Sequence, residues 1–296
     1  MKIGYPCINL SLPCRSSQGF RLASYSEERM ARTVESNLAC LLETLEFNRK
    51  HELFFFRISS DLIPFASHPV CEFPWQRVFK ETFREIGAFI KKHQMRVSMH
   101  PDQFILINSP DKEIFQRSVK ELLYHADVLD LSGVDETAKI QIHVGGVYGN
   151  KVQGIKRFIE RYKRLEDRIK RRLVIENDDR LYNVEDCLQI HEEIKIPVVF
   201  DVFHFRCRNN GERVRDALSK VCSTWSGKDG VPIVDYSSQE KNKRIGTHAR
   251  SININDFRKF IKETEGLHFD IMCEIKDKEK SALKALNVLR EMKLIS

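Results

Sequence analysis

The sequence predicts an α/β fold, specifically a single-domain (β/α)8 TIM barrel that spans residues 1–296. Two observations support this prediction. Short apolar segments alternate eight times with longer segments of helical periodicity, and the 296 residues contain no linker, repeat or low-complexity tract. Short apolar strands that alternate with helices are typical of parallel sheets buried on both faces, and eight such units in this length indicate a closed barrel. A doubly wound open sheet is the alternative fold.

Each predicted strand is a short apolar segment, and each is followed by a segment whose apolar residues recur every three or four positions, as on one face of a helix. The strands are predicted near residues 2–5, 53–57, 96–99, 139–143, 172–176, 197–200, 231–235 and 270–275. The helices are predicted near residues 26–50, 76–93, 111–131, 152–171, 184–194, 211–224, 253–264 and 278–293. Pro101 stops the third strand, because proline cannot donate to a strand ladder. The polar stretches 225–230 and 237–247 are predicted to be loops.

The composition is that of an ordinary globular protein, with 42% hydrophobic and 31% charged residues. No apolar run approaches the roughly 20 residues of a membrane-spanning helix, and the run at the amino terminus is too short for a secretory signal. We therefore expect a cytoplasmic protein. The net charge of +7 fits a polyanionic partner such as nucleic acid, although a solvated basic surface would give the same total.

The eight cysteines give no sign of a zinc ribbon or a redox motif. They are Cys7, Cys14, Cys40, Cys71, Cys187, Cys207, Cys222 and Cys273, and they form no C-x-x-C pair. We therefore expect reduced thiols, several of them in the core.

Residues able to bind metal follow most of the predicted strands. The histidines are His68, His100, His143, His204 and His248, and the carboxylates are Glu176, Asp201, Asp235 and Glu274. The carboxyl ends of barrel strands share one rim, where the active sites of this fold lie. A single histidine at a strand end more often packs in the core or caps a helix. So many carboxylates around one rim, however, would repel each other without cations to neutralise them.

The types of donor indicate which metals the rim would take. Imidazole together with carboxylate suits Mn²⁺, Zn²⁺ or Fe²⁺ and offers more nitrogen than a typical Mg²⁺ site. The donors are enough for two or three divalent ions, and Mn²⁺ is the prediction. Closely spaced ions activate water and stabilise charge on a transferring phosphate, so no separate general base is required. Glu176 is predicted to bridge two ions, because it lies centrally among the ligand-bearing strands and has two oxygens.

The motifs that carry these residues, taken in order, resemble those of the ultraviolet damage endonuclease family. They are FRISSDLIPFASHP, SMHPDQF, IHVGGVYGNK, VIENDD, VFDVFHF and MCEIKDKE. The resemblance runs from GYPCINL to EIKDKE, which is nearly the whole chain. It implies a barrel related in plan to endonuclease IV, with a cluster of metal ions at the rim. It also implies a monomeric enzyme that nicks duplex DNA immediately 5′ of cyclobutane pyrimidine dimers, 6-4 photoproducts and abasic sites, leaving a 3′-hydroxyl and a 5′-phosphate.

The resemblance also implies how the metal ligands are shared. The first ion would be held by Glu176, Asp201, Asp235 and Glu274, the second by His68, His100, His143 and the shared Glu176, and the third in part by His204 and His248. Three of these residues are predicted to be catalytic through the metals, namely Glu176, Asp201 and Glu274.

Two positions on the seventh strand depart from the pattern of the family. Many relatives carry a lysine and a histidine two residues apart on the seventh strand, the histidine being a ligand and the lysine in some cases carboxylated. This chain has Ile233 and Asp235 at those positions. Residues two apart on a strand face the same side, so Asp235 is predicted to replace the histidine as a ligand. The alternative is that Asp235 forms an ordinary ion pair with a lysine or arginine.

The resemblance implies residues that recognise the damaged DNA. Gln103 and Phe104 correspond to two side chains that probe the gap left in the duplex, since photoproducts stack poorly and cost less to extrude than normal bases. Phe104 takes the place of a tyrosine in most relatives and keeps its stacking face. Phe104 could instead pack under the rim. Tyr5 and Asn9 match family residues that lie near the lesion.

Other functions remain open from the sequence. An abasic-site endonuclease or a sugar isomerase would share the barrel and use metals held by carboxylates and histidines. The isomerase explains neither the basic charge nor so many histidines. A DNA-binding module with a purely structural metal would need a closed shell of ligands, whereas a rim of many donors leaves open positions for water.

Overall fold

The structure is a computed structural model that describes residues 1–102 and 104–295. Within these residues, eight parallel strands close into a barrel in chain order, and the last strand pairs with the first. The strands are β1 (Ile3–Pro6), β2 (Phe55–Ile58), β3 (Arg96–Met99), β4 (Lys139–His143), β5 (Leu173–Glu176), β6 (Val198–Asp201), β7 (Ile233–Tyr236) and β8 (Asp270–Cys273). The closed barrel confirms the predicted fold and excludes the open sheet.

Helices surround the barrel. In the described part of the chain they are α1 (Glu27–Lys50), α2 (Trp75–Val78), α3 (Lys80–Lys92), α4 (Lys112–Leu131), α5 (Lys151–Tyr162), α6 (Asp167–Lys170), α7 (Val184–Ile194), α8 (Val202–Cys207), α9 (Val214–Cys222), α10 (Ile254–Glu263) and α11 (Glu279–Glu291). Short 3-10 turns lie at Leu22–Ser24, Ser60–Leu62 and Gly227–Asp229. Local sequence determines several helix starts: the Ser26 hydroxyl accepts the Arg29 N–H at α1, and Asn183 and Asp186 cap α7 reciprocally.

The observed elements lie close to the predicted ones and differ at three places. The predicted helix 76–93 is divided into α2 and α3, and the predicted helix 152–171 into α5 and α6. Helix α8 was not predicted. It starts directly after β6 because the Asp201 side chain accepts the His204 N–H at 2.7 Å and caps the first turn. Across residues 1–102 and 104–295, no helix combines the length and the hydropathy that crossing a membrane requires.

The buried apolar residues form two separate cores. A small core fills the interior of the barrel, and a large core lies between the strands and the surrounding helices. The small core consists of Phe55, Val174, Val199, Ile233 and Met272, with Trp225 packed against it. Strand residues alternate between the two faces of a sheet, so the residue two positions further along each strand also faces the interior. The small core therefore forms an apolar floor below the carboxyl-terminal rim of the barrel.

One disulfide corrects the expectation that all cysteines are reduced. Cys14, in the loop after β1, is bonded to Cys40 of α1, and their Cα atoms are 5.8 Å apart. The remaining cysteines are free: Cys7, Cys71, Cys187, Cys207, Cys222 and Cys273. The expectation was wrong for this pair because a separation of 26 residues carries no local signal of pairing. The bond ties a loop at the rim to the outer helix layer.

The disulfide predicts a stability difference. Replacing both Cys14 and Cys40 by serine should lower the free energy of unfolding by up to about 3.5 kcal/mol, because the bond restricts the unfolded chain across a 26-residue loop. Differential scanning calorimetry should show a melting temperature lowered by several degrees. Dithiothreitol should give the same shift in the wild type and none in the double variant. Cys207→Ser, at a free cysteine, is the matched control and should leave the response to reductant intact. Identical melting of the oxidised and reduced wild type would contradict the prediction.

Candidate metal centre

Polar side chains lie directly above the apolar floor of the barrel. Five of them come two positions after a floor residue on the same strand. They are Arg57 (β2), Glu176 (β5), Asp201 (β6), Asp235 (β7) and Glu274 (β8). His143 ends β4, and His100 comes directly after β3. Because alternate strand residues face the same side, these side chains meet inside the rim. The first four of the five are at most 2% exposed, so their charges interact through the protein interior.

Glu176 lies at the centre of this site. Its Oε1 is 2.8 Å from His143 Nε2 and 3.3 Å from His100 Nε2, and its Oε2 accepts a hydrogen bond from the Gln141 side-chain amide. Burial alone would raise the pKa of Glu176, but the two imidazoles outweigh burial and hold the pKa well below its usual value. The carboxylate and the two imidazole nitrogens lie within 4.8 Å of one another, as the donors of one divalent ion would.

Asp201 and Asp235 form a second group of donors with Glu176. Asp201 is 1% exposed, and its Oδ2 has no hydrogen-bond partner among the described atoms. Burial, aided by the charges of Glu274 and Glu176 and opposed by His204, raises the pKa of Asp201 to about 6. His204 Nδ1 lies 3.3 Å from Oδ2 but forms no hydrogen bond with it. A buried carboxylate oxygen that accepts no hydrogen bond is unfavourable, and a cation beside Oδ2 would satisfy it. The donors present therefore fit a metal ion.

Four histidines form an arc around these carboxylates. Adjacent ring centroids are separated by 5.4 Å for His100 and His143, 6.0 Å for His143 and His204, and 5.9 Å for His204 and His248. Nδ1 of His100, His204 and His248 lies within 3.1 Å of a main-chain carbonyl oxygen. That contact leaves Nε2 as the nitrogen able to bind a metal ion, which is the arrangement typical of metal-binding histidines. Burial lowers the pKa of His204, but the negative charge of Asp201 raises it by more, so that the pKa of His204 is about 9.

Arg57 and Gln141, which were not among the predicted site residues, connect the carboxylates. Arg57 Nη2 donates to both carboxylate oxygens of Asp235, at 2.8 and 2.9 Å, and Nη1 donates to Glu274. The Gln141 carbonyl accepts from Arg57 Nη2 at 2.9 Å, and its amide donates to Asp235 Oδ2 at 2.5 Å and to Glu176. Burial would raise the pKa of Glu274, but Arg57 outweighs burial and lowers the pKa to about 2. Asp235 thus has an arginine partner and also belongs to a donor group, and its role as a ligand stays a prediction.

A signal for both missed residues was present in the sequence. Arg57 comes two positions after Phe55, and Gln141 two positions before His143. The alternation of strand side chains therefore directs both into the barrel. Most predicted ligands lie at or beyond strand ends, whereas Arg57 and Gln141 lie within β2 and β4, as Asp235 lies within β7.

The remaining predicted residues lie away from the two donor groups. His68 is exposed, its Nδ1 accepts the Val70 N–H at 3.1 Å, and the donor groups found among the described residues do not include it. Phe104 is 72% exposed, which excludes packing under the rim. Gln103 lies outside the described residues.

Tyr5 and Asn9, predicted to lie near the lesion, are both buried, and their role there stays a prediction. Tyr5 is fully buried, and its hydroxyl donates to Asn48 of α1 at 2.7 Å. Asn9 is 4% exposed, and its amide donates to the Tyr5 hydroxyl at 2.8 Å. Tyr5 therefore faces the helix layer and not the barrel interior, and neither side chain presents surface for a direct contact with DNA in this structure.

Two clefts flank the donor groups. One, of about 610 Å³, is lined by His100 together with Lys276 and Lys278. The other, of about 480 Å³, is lined by His143 and Arg180. Carboxylates line both clefts as well, and Asp179 lies 3.3 Å from Arg180. The clefts therefore carry charges of both signs, and their lysine and arginine side chains are the groups that could contact a phosphate backbone.

Comparison with known proteins gives concordant results. The model of the family described as UV-endonuclease UvdE matches residues 1–296. The UV DNA damage endonuclease of Clostridium perfringens (strain 13 / Type A) is 40% identical over 294 residues, which is 99% of this chain and 71% of that protein. The UV DNA damage endonuclease of Bacillus cereus (strain Q1) is 34% identical, over 99% of this chain and 96% of that protein.

Solved structures support the same relationship. The crystal structure of SacUVDE aligns with a TM-score of 0.96 and 46% identity, covering 100% of both chains. Endonuclease IV from Thermus thermophilus aligns with a TM-score of 0.58 and 16% identity, covering 86% of this chain and 95% of that chain. A D-tagatose 3-epimerase-like protein aligns with a TM-score of 0.59 and 14% identity, over 99% of this chain and 98% of that one. The last two show the shared barrel and nothing more specific.

The central position of Glu176 predicts that its charge is required for metal binding. Glu176→Gln should keep the fold but weaken metal binding by at least about 10–100-fold, the loss typical even of residues that only support a ligand. Metal per chain after dialysis against Mn²⁺, measured by plasma mass spectrometry, tests this, with circular dichroism as the check on folding. Glu279→Gln is the control, because Glu279 is fully buried but hydrogen-bonded to Leu10 and Ser11 outside the donor groups. Equal metal content in wild type and Glu176→Gln would rule out the assignment.

Proposed function

Because the chain belongs to the UV-endonuclease UvdE family, a family of endonucleases that act on ultraviolet-damaged DNA, we propose that it is a metal-dependent repair enzyme that nicks duplex DNA immediately 5′ of photoproducts. The products would be a 3′-hydroxyl and a 5′-phosphate. The lesions would be cyclobutane pyrimidine dimers, 6-4 photoproducts and abasic sites. The observation that carries the proposal of a metal centre is the position of Glu176, which belongs to both donor groups at the rim.

The metal ligands are proposed from these groups and from the histidine arc. Glu176, Asp201, Asp235 and Glu274 would hold one ion, Glu176, His100, His143 and His68 a second, and His204 with His248 part of the shell of a third. Two or three divalent ions, most favourably Mn²⁺, match this mixture of carboxylate oxygen and imidazole nitrogen. Such ions would activate water near neutral pH and stabilise charge on the phosphate during in-line displacement.

The side chains themselves would prepare the site. The contacts of Nδ1 in His100, His204 and His248 with main-chain carbonyls orient the rings and leave Nε2 as the nitrogen that would bind an ion. Glu176, Asp201 and Glu274 are proposed as the catalytic carboxylates. The apolar floor below them limits water to the open side of the rim, which strengthens electrostatic interactions within the site.

Recognition of damage is proposed to take place at the exposed rim. Phe104 presents a free aromatic face beside the loop that carries His100, where it could stack on bases adjoining an extruded photoproduct. Gln103 is proposed to act with it. Lys276 and Lys278 would neutralise phosphates of the bound duplex.

The proposal is tested by a comparison of irradiated and untreated DNA. Supercoiled plasmid, either exposed to ultraviolet light or kept dark, is incubated with the protein in Mn²⁺ or in EDTA. We expect nicking only of irradiated plasmid and only with Mn²⁺, and end-labelled duplexes with a single photoproduct should be cut directly 5′ of it. A sugar isomerase would nick neither plasmid, and a non-catalytic binding module would shift irradiated DNA in a gel without nicking it. Equal nicking of both plasmids would contradict damage specificity.

The exposed position of Phe104 predicts a loss of affinity for damaged DNA. Stacking of an aromatic side chain on a base is worth roughly 1–3 kcal/mol, so Phe104→Ala should weaken binding to a duplex with a pyrimidine dimer by about tenfold or more. Phe104→Tyr keeps the stacking face and should bind as the wild type does. Fluorescence anisotropy measures the affinity, with metal content unchanged in both variants.

A matched control is available at the opposite end of the barrel. Leu294 is 42% exposed and follows α11, which runs back from the rim. Leu294→Ala should leave the affinity for damaged DNA unchanged. Wild-type affinity in Phe104→Ala would exclude a stacking role for this side chain.

A further inference from the structure

A guanidinium group lies inside the barrel among the proposed metal ligands. Arg57 is 2% exposed, and from β2 it contacts Asp235 on β7 and Glu274 on β8. The strands paired with β2 are β1 and β3. The contacts of Arg57 therefore cross the interior of the barrel and do not follow the sheet. A cation in this position holds together side chains from strands that are not adjacent to its own.

We propose that Arg57 is a positioning residue of the metal centre. Its guanidinium orients Asp235 and Glu274 directly, and Glu176 through the Gln141 amide, so that the carboxylates stand in ligand-ready positions before an ion binds. This inference rests on the proposed metal-dependent function. Arg57 itself is not a ligand, because a guanidinium only donates hydrogen bonds and remains charged in proteins.

The pattern of hydrogen bonds requires the shape of arginine. Nη1 donates a hydrogen bond to Glu274, while Nη2 donates to both carboxylate oxygens of Asp235 and to the side-chain carbonyl of Gln141. Gln141 is thereby oriented with its amide toward Asp235 and Glu176. A planar guanidinium presents its donors at fixed angles, whereas the ammonium of lysine is a single point charge on a flexible stem. Lysine would supply the charge at this position but not the fixed geometry.

The charges also explain why the carboxylates need a fixed cation. Asp235 and Glu176 are both buried and both accept from the same Gln141 amide nitrogen. Two buried carboxylates so close together repel each other strongly. Without Arg57 the two carboxylates would be expected to move apart in the metal-free protein, and an incoming ion would then have to reorganise them.

A second buried arginine offers a control within the same barrel. Arg96 is 6% exposed, donates from Nη1 to Asp270 at 2.8 Å, and packs against the rings of Phe55 and Trp225. It comes at the start of β3, at the opposite end of the barrel from the rim. Arg96→Met removes a buried ion pair of the same kind without touching a proposed ligand.

The test compares Arg57→Met, Arg57→Lys and Arg96→Met with the wild type. Each protein is stripped with EDTA and titrated with Mn²⁺, the free ion being counted by electron paramagnetic resonance, and the melting temperature of each metal-free form is recorded. Both substitutions of Arg57 should weaken Mn²⁺ binding by about tenfold or more, as loss of a residue that supports a ligand typically does. Arg57→Met and Arg96→Met should both melt at lower temperature, because each leaves a buried carboxylate unpaired. Arg96→Met should keep the wild-type Mn²⁺ affinity.

Two results would overturn the inference. If Arg57→Met binds Mn²⁺ as the wild type does, Arg57 only stabilises the fold. If Arg57→Lys restores wild-type binding, charge alone is sufficient and the guanidinium positions nothing. The proposed function fails in a recognisably different way: the wild type would then bind no Mn²⁺, or Glu176→Gln would bind it as tightly as the wild type.

Discussion

Four carboxylates converge on one end of a closed barrel, and their mutual repulsion is the constraint that the surrounding residues meet. Two of them pair with Arg57, Glu176 lies against two imidazoles, and Asp201 lies beside His204. Burial makes each of these interactions stronger than it would be in water. The protein nevertheless neutralises only part of the charge, since Asp201 Oδ2 accepts no hydrogen bond among the residues that the structure describes and has only His204 Nδ1 nearby, at 3.3 Å. Divalent ions would balance the remainder.

The alternation of side chains along the strands turns this concentration of charge into an organised site. Apolar residues such as Val174 and Ile233 form the floor, and the next inward residues of the same strands, Glu176 and Asp235, form the polar layer above it. Because side chains two residues apart on a strand face the same side, successive inward residues of these strands form the apolar floor and then the ring of donors above it. The short helix α8 then adds an imidazole to the ring, because it begins at the strand end that carries its cap.

The barrel by itself does not specify this chemistry. Structures as different as endonuclease IV and a D-tagatose 3-epimerase-like protein share it at 16% and 14% identity. Function resides in the side chains placed at the rim. Here those side chains combine donors suited to metal ions with lysine and arginine at the cleft edges (Lys276, Arg180) and an exposed aromatic ring at Phe104. That combination suits a polyanionic substrate better than a neutral sugar.

Local patterns in the chain were enough to predict the order of strands and helices, the closed barrel and most of the donors, because each follows from the periodicity of apolar residues or from the residue at which a strand stops. It also carried the motifs that identify the family. Which inward side chains meet, by contrast, depends on how the folded barrel brings distant strands together. Arg57 and Asp235 are 178 residues apart and come together because the barrel closes, and the bond between Cys14 and Cys40 depends on where α1 docks. The outward direction of Tyr5, toward Asn48, was decided in the same way. Such contacts form between elements that are far apart in the chain, and the local sequence around each residue does not show which distant element will pack against it.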